Sequence, residues 1–189
     1  MNVTITWGDI LIHLGIEIIV GLVVSFLFLR YILYYLRPRI QISPQIAYTD
    51  EAGIRTYWFK IVNQSRYEGF DLEFNVEAIT MEAAGQNGFN LKIVQHIPLN
   101  KKDFSSVAGF QSNNQIKKGK TTAPHCLQVR TTENLHKILD DHGNFIRLHV
   151  SLKHGLSGIS KSFEQQYAYN SPIHKGAFAF GNQYDVVKA

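Results

Sequence analysis

The sequence predicts a mainly β protein in which a single N-terminal transmembrane α-helix precedes an antiparallel β-sandwich. Three observations support this fold class. Residues 10–36 form one long apolar run, the residues beyond 39 alternate between apolar and polar with period two, and that second part holds only one short helical pattern. We therefore expect a short extracytoplasmic N-terminus at 1–9, a transmembrane helix at 10–36 and a cytosolic β-sandwich domain at 37–189.

The apolar run has the length and the flanks of a membrane span. A spanning helix needs about 20 mostly apolar residues, and the stretch from 11 to 29 contains only His13 and Glu17 as ionisable side chains. Aromatic residues that favour the headgroup region stand at its two ends: Trp7, then Tyr31, Tyr34 and Tyr35. A signal peptide would carry its basic residues before the apolar core, and a soluble helix would show a polar face. The run therefore predicts a transmembrane helix in contact with the lipid bilayer.

The charges around the span predict its orientation. Arg30, Arg37 and Arg39 lie at its C-terminal end, whereas the first nine residues contain no Lys or Arg. The positive-inside rule places such a basic end in the cytoplasm. We expect a single-pass protein of the inner (cell) membrane, with its N-terminus outside and its C-terminal domain in the cytoplasm. The three arginines serve either topology alone or also contact with lipid headgroups.

One side of the expected helix is small and polar. Four such residues recur at every fourth position: His13, Glu17, Gly21 and Ser25. This spacing drifts by only about 40° per step, so the four share one side of the helix. Small residues let helices approach closely, and a charge at membrane depth normally faces a partner or water. Two readings follow: a self-associating helix with a hydrophobic constriction at Phe26 or Phe28, or a Glu17 hydrated near the outer interface.

The rest of the chain reads as short strands with turns between them. The segment from 70 to 78 alternates most regularly, and Ile79 breaks the pattern, which predicts a strand end or a bulge. Thr132 opens the one helical pattern, at 132–139. Extended segments are expected at 40–47, 54–62, 70–78, 89–96, 104–110, 125–129, 145–152, 160–169 and 177–187.

Composition narrows the possible partners and chemistry. The 189 residues carry a net charge of +4, and the one basic cluster, at residues 117–120, reads as a solvated loop, so we expect no nucleic-acid binding. The single cysteine, Cys126, excludes an internal disulfide and is expected to be a buried strand residue. The eight histidines show no ligand spacing, and there is no phosphate-binding glycine loop. We expect no enzymatic activity, no cofactor and no metal.

Several segments of the chain resemble segments of a known family and follow one another in the same order. The junction after the apolar run reads LRPRIQIS and then QIAYTDEAG. Later segments read YWFKIVNQSRYEGFDLEFNVEAI, FNLKIVQHIPL, TTENL and QQYAYNSPIHKGAFAF. Across residues 27–185 this order resembles the inner-helix end and cytosolic C-terminal domain of inward-rectifier potassium channels of the prokaryotic type. The resemblance implies an immunoglobulin-like β-sandwich that assembles as a tetramer, with Arg37 and Arg39 near lipid headgroups.

The chain departs from that family in its pore. Only nine residues precede the span, and no filter of the Thr-x-Gly-Tyr/Phe-Gly type occurs in the sequence. Because potassium selectivity depends on the carbonyls of that filter, we do not expect this chain alone to be a selective potassium channel. A channel fragment without its pore module is a further reading, which Met1 and the coherent outer flank argue against.

Two functional hypotheses from different classes follow. The first is a membrane-embedded homo-oligomer, expected to be a homotetramer, whose cytosolic domain senses and assembles and whose helices form a weakly selective pore or perturb the membrane as a bacterial defence effector. The pore or helix-association residues would be Glu17, Gly21, Ser25 and Phe28. The second is a membrane-tethered binding or scaffold module without a pore. It would hold a cytosolic ligand or protein through exposed aromatics such as Tyr57, Tyr67 or Tyr184.

Overall fold

The computed structural model describes residues 7–51, 53–84, 88–111, 123–141 and 143–187. The basic cluster at 117–120 lies outside these described residues. The chain divides into two compact units, Met1–Arg37 and Pro38–Ala189. The first unit contains α1 (Trp7–Tyr35), a single helix of 29 residues.

The second unit is built from strands and one short helix. In chain order the strands are β1 (Ile40–Ile42), β2 (Ile46–Glu51), β3 (Ile54–Asn63), β4 (Gly69–Ala84), β5 (Gly88–His96), β6 (Asp103–Val107), β7 (Cys126–Thr131), β8 (Asn144–His154), β9 (Ser160–Tyr167), β10 (Ile173–Lys175), β11 (Ala177–Phe178) and β12 (Val186–Val187). The helix α2 (Leu135–Leu139) lies between β7 and β8. This unit is the β-sandwich that the alternating pattern predicts, and we call it the body.

Two sheets form the body. In sheet A, β3 pairs antiparallel with β1 and β2 and, separately, with β7; β10 joins β2 in the one parallel pairing among the described strands. In sheet B the order is β5–β4–β8–β9, and β6 pairs with the first part of β4. A small β11–β12 pair completes the described strands.

The core lies between the inward faces of the two sheets. Alternate residues of β4, Leu72, Phe74 and Val76, are buried in one cluster with Phe59 of β3 and Tyr167 of β9. The Tyr167 hydroxyl donates to the backbone oxygen of Ser43 at 2.7 Å, which satisfies the only polar atom of that side chain. This packing against residues far apart in the chain holds the two sheets together.

The structure decides between two alternatives left open at Ile79 and corrects two further local expectations. Of the two alternatives expected at Ile79, a strand end is wrong and a bulge is confirmed: β4 continues to Ala84, and its register against β5 shifts between Ala78 and Ile79. The side chain of Asn134, and not a threonine, accepts from the Lys137 N–H and caps α2. The segment 177–187 holds only the two-residue strands β11 and β12, because its central residues form a turn.

Candidate functional site

The helix α1 presents an exposed apolar surface along its length. The span Ile10–Tyr35 comprises 26 residues, and none of its most apolar 18-residue window is buried. Leu11, Leu22 and Phe28, for example, are each more than half exposed. Exposure of such a surface to water is unfavourable, by about 25 cal/mol per Å² of apolar area. The helix is therefore long and apolar enough to cross a membrane.

The polar side expected on this helix is continuous. Because α1 is one regular helix over Trp7–Tyr35, a step of about 100° per residue applies throughout and places Glu17, Gly21 and Ser25 on one side. Phe28 lies about 20° from Gly21 around the axis, whereas Phe26 lies about 140° away. Of the two phenylalanines proposed for a constriction, only Phe28 shares the side of Glu17, Gly21 and Ser25. We call this side the polar stripe.

The stripe has room for close approach. A methyl group built on Gly21 would meet nothing within 4 Å, and the same holds for Gly15. Gly15 lies about 120° from Gly21 around the axis, outside the polar stripe. The two glycines therefore form a matched pair for substitution, because neither has an intramolecular reason to remain small.

The C-terminal end of α1 combines aromatic rings with positive charge. The rings of Tyr31 and Tyr35 have centroids 5.0 Å apart, and Tyr34 packs edge-on against Tyr35 at the same separation. The Arg37 guanidinium lies 5.2 Å from the centroid of Tyr34. Such amphipathic side chains favour the headgroup region of a bilayer. Arg30 lies within the helix, directly before Tyr31.

Arg39 belongs to the body. Its N–H donates to the Ser65 hydroxyl at 2.8 Å, and its carbonyl accepts from the Gln64 N–H, also at 2.8 Å. Its side chain is exposed. The backbone that enters the body is thus fixed to the turn after β3, while the charge remains free to meet solvent or a lipid headgroup.

A second exposed apolar surface lies on the β4–β5 hairpin. The strand register places Met81 opposite Leu91 and Ala83 opposite Phe89, so these residues share one face with Ile93. The four large side chains on this face, Met81, Phe89, Leu91 and Ile93, are 45–73% exposed. The other face is polar and holds a 2.8 Å ion pair between Glu82 and Lys92. We call the first face the hairpin patch.

The body also contains a polar cleft on the outer face of sheet A. It has a volume of about 370 Å³, and its lining includes Lys60, Cys126, Gln128 and Phe178. We call it the Lys60 cleft. Cys126, expected to be a buried strand cysteine, stands at the start of β7 and is half-buried, and its Sγ donates to the Gly181 carbonyl at 3.3 Å.

The aromatic residues proposed for the tethered module differ in exposure. The prediction that Tyr57 is exposed is wrong, because its side chain is fully buried and its hydroxyl contacts the Nδ1 of His136 at 2.7 Å. Tyr67 is 44% exposed. Tyr184 is half-buried, and its hydroxyl accepts a hydrogen bond from the Gln64 side-chain amide. Within the described residues, no group of three or more His, Cys, Asp or Glu side chains lies close enough to hold a metal ion.

Sequence reasoning singled out the polar stripe and the basic end but missed both features of the body. The hairpin patch has a signal in the sequence, since Phe89, Leu91 and Ile93 alternate with polar residues, but this pattern equally describes a strand that covers a core. No protein-family model matches the chain. No curated protein matches it at a significant level either.

Proposed function

We propose that this protein is a single-pass membrane protein that assembles as a homo-oligomer, most simply a tetramer, through the polar stripe of α1. The body would lie in the cytoplasm of a cell whose inner membrane holds the helix, as Arg30, Arg37 and Arg39 favour. The observation that carries the proposal is the exposed 26-residue apolar span with small and polar residues along one side. Lipid would cover the apolar sides, and copies of the helix would cover the stripe.

Helix packing supports this arrangement. Between helices in lipid there is no hydrophobic driving force, so association depends on close backbone approach and on polar contacts. Gly21 and Ser25 permit close approach, and Glu17 gains a partner or an aqueous axis instead of facing lipid. Phe28, on the same side and nearer the cytoplasmic end, would form the narrowest apolar ring of a bundle. Such a ring closes a water-filled path by dewetting.

The pore would be weakly selective, or the bundle would perturb the bilayer without a defined path. The body would act as the sensing and assembly part, in keeping with the resemblance of its segments to inward-rectifier C-terminal domains. A change in the packing of the bodies would reach the helices through Arg37, Pro38 and Arg39, since Arg39 is fixed to the turn after β3. Release of ions in this way is one route by which a defence effector would act.

The hairpin patch offers a contact between bodies. β5 is the last strand of its sheet in the described part of the chain, so its outer edge is free to pair. Two β5 strands from two copies of the chain could pair antiparallel about a two-fold axis at Leu91. Leu91 would then lie opposite its own copy, Phe89 opposite Ile93, and Asn90 opposite Lys92. Every apolar residue then meets an apolar one, and no like charges face each other. Bodies paired in this way above a four-helix bundle would form a dimer of dimers.

Leakage from vesicles tests the proposed function. Wild-type protein reconstituted into potassium-loaded liposomes should release potassium. Gly21→Leu should slow release about tenfold, which corresponds to about 1.4 kcal/mol of lost association free energy. Gly15→Leu adds the same bulk outside the stripe and should leak at the wild-type rate. An intact gradient with wild-type protein, or equal effects of the two substitutions, would refute the pore.

The alternative function is a membrane-tethered binding module, and the Lys60 cleft favours it. In that case α1 would be only an anchor, and its sequence would not matter beyond its length and hydrophobicity. Replacing residues 10–35 by an unrelated apolar span of equal length would preserve the activity of a tethered module. The same replacement would abolish the activity of a helix bundle.

A further inference from the structure

The Lys60 cleft brings three polar side chains together on the outer face of sheet A. The register pairs Lys60 with Gln128 and Val62 with Cys126, so these four side chains point to the same side of the sheet. The polar ones are Lys60, Gln128 and Cys126. The segment that carries Phe178 and Phe180 closes the other side of the cleft. A volume of about 370 Å³ is within the range of small-molecule sites in proteins, roughly 300–1,000 Å³.

Lys60 is the most deeply buried cation of the described residues, at 1% exposure. Its Nζ donates to the carbonyls of Ala179 and Gln183, each at 2.6 Å. An ammonium has three donors, so one donor remains after these two bonds. The two carbonyls supply dipoles but no negative charge, and no ion pair in the described part of the chain includes Lys60.

Glu77, the other deeply buried carboxylate or ammonium group among the described residues, has a counter-charge. Its carboxylate accepts from the Arg147 guanidinium at 2.6 and 3.2 Å and from the Asn75 amide at 2.8 Å. Burial without a counter-charge is costly because a low-dielectric interior disfavours an isolated ion. Lys60 lacks such a counter-charge among the described residues, and it is the charge that borders an open cavity.

We propose that the Lys60 cleft binds the anionic group of a small molecule, a carboxylate or a phosphoryl group, with Lys60 as its counter-ion. An oxygen of that group would accept the remaining Lys60 N–H, and the Gln128 amide would donate a second hydrogen bond. The apolar remainder of a small ligand would face Phe178 and Ala123, which line the same cavity. The inference does not depend on whether the helices form a pore.

The electrostatics of the cleft agree with this proposal. Burial lowers the pKa of Lys60, and a negative charge on the neighbouring Cys126 would act in the opposite direction. Burial raises the pKa of the Cys126 thiol, and Lys60 acts in the opposite direction. The two groups are thus close enough to sense each other, so a ligand bound at Lys60 would lie against the sulfur.

The thiol supplies a direct test, because Cys126 is the only cysteine of the chain. The full chain in detergent is labelled with iodoacetamide in the presence of inorganic phosphate or of benzoate, against chloride at equal ionic strength. Glutathione in the same buffers corrects for any change in reagent reactivity. At an anion concentration ten times Kd, about one site in eleven is free, so labelling should slow about tenfold.

The two probes distinguish the source of the anion. Protection by phosphate alone identifies a phosphoryl ligand, protection by benzoate alone identifies a carboxylate, and protection by both supports the shared chemistry. Labelling of the wild-type chain that neither anion slows would overturn the proposal. This readout needs no substitution in the cleft.

Variants then assign the effect to Lys60. Lys60→Met should abolish the protection, and Lys60→Arg, which keeps the charge, should retain it. Lys92→Met removes an exposed lysine of the hairpin and should behave as wild type. If protection persists in a folded Lys60→Met protein, the counter-ion is not Lys60 and the proposal is wrong.

Discussion

At the scale of single residues, His154 is a buried base held neutral by its surroundings. It faces inward at the end of β8, where its Nδ1 accepts from the Ser157 N–H at 3.3 Å and contacts the Ser157 hydroxyl at 3.2 Å. The ring packs edge-on against Tyr67 at 5.4 Å. Burial lowers the pKa of His154 below its ordinary value of 6.5. Protonation would turn Nδ1 into a donor and break its bond to the Ser157 N–H.

This environment predicts a loss of stability in mild acid. Below about pH 6.5 the unfolded chain binds a proton at His154 more readily than the folded chain does. The free energy of unfolding therefore decreases as the pH is lowered, until the pH reaches the lowered pKa of the folded state. His136, whose pKa burial also lowers, contributes in the same direction. Denaturant unfolding between pH 7 and 5 should therefore show a smaller loss for His154→Leu than for wild type.

His174→Gln provides the matched control, since this histidine is exposed on β10. Its stability should follow the wild-type dependence on pH. A His154→Leu protein with the full wild-type loss between pH 7 and 5 would show that the buried ring does not govern acid sensitivity.

Lys60 shows why part of the candidate site was out of reach of sequence analysis. In β3 it alternates with apolar residues, a position that in most strands points to solvent. Its burial depends on carbonyls that lie 119 and 123 residues later in the chain. No local pattern encodes such a contact, because the covering segment consists of a turn and two-residue strands with weak propensity of their own.

At the scale of elements, the hairpin formed by β4 and β5 extends a sheet without extending the core. Its core-side face beyond Ala78 is polar, and its opposite face carries the hairpin patch. An exposed apolar edge strand of this length invites pairing with another chain. The proposed pairing of two β5 strands about Leu91 uses that edge.

Crosslinking tests this pairing. In a Cys126→Ala background, Leu91→Cys should give a disulfide-linked dimer on oxidation, since residues directly opposite each other lie about 4.5–5.5 Å apart, within disulfide range. Asn90→Cys should not, because two copies of residue 90 would be about 8 Å apart, offset by two residues along paired strands. No dimer with Leu91→Cys, or equal dimer with Asn90→Cys, would reject the register.

Elements with a strong local period were predictable, and elements defined by neighbours were not. The apolar run predicted α1 to within three residues at its start and one at its end, because a run of this length with so few ionisable residues has few alternatives to a helix. The regular alternation of 70–78 gave the core part of β4. At Ile79 the sequence left a strand end and a bulge as alternatives, and the pairing with β5 decides for the bulge. Asn134 caps α2 two residues after the expected threonine, because the cap depends on the local backbone geometry.

At the scale of the whole molecule, two units with opposite solvent requirements share one chain. The body encloses a core between two sheets and leaves mostly polar side chains outside, whereas α1 exposes apolar side chains along its length. A bilayer covers the apolar sides of such a helix, but it does not satisfy Glu17. In the proposed assembly, other copies of the helix meet the polar stripe and surround Glu17.

The oligomeric state in detergent tests this claim most directly. The mass of the full chain in micelles, measured by light scattering with correction for bound detergent, should be that of a tetramer for wild type and for Gly15→Leu. It should fall to smaller species for Gly21→Leu, because a leucine on the stripe prevents close approach. A monomeric wild-type chain, or a tetramer that Gly21→Leu leaves intact, would contradict the account.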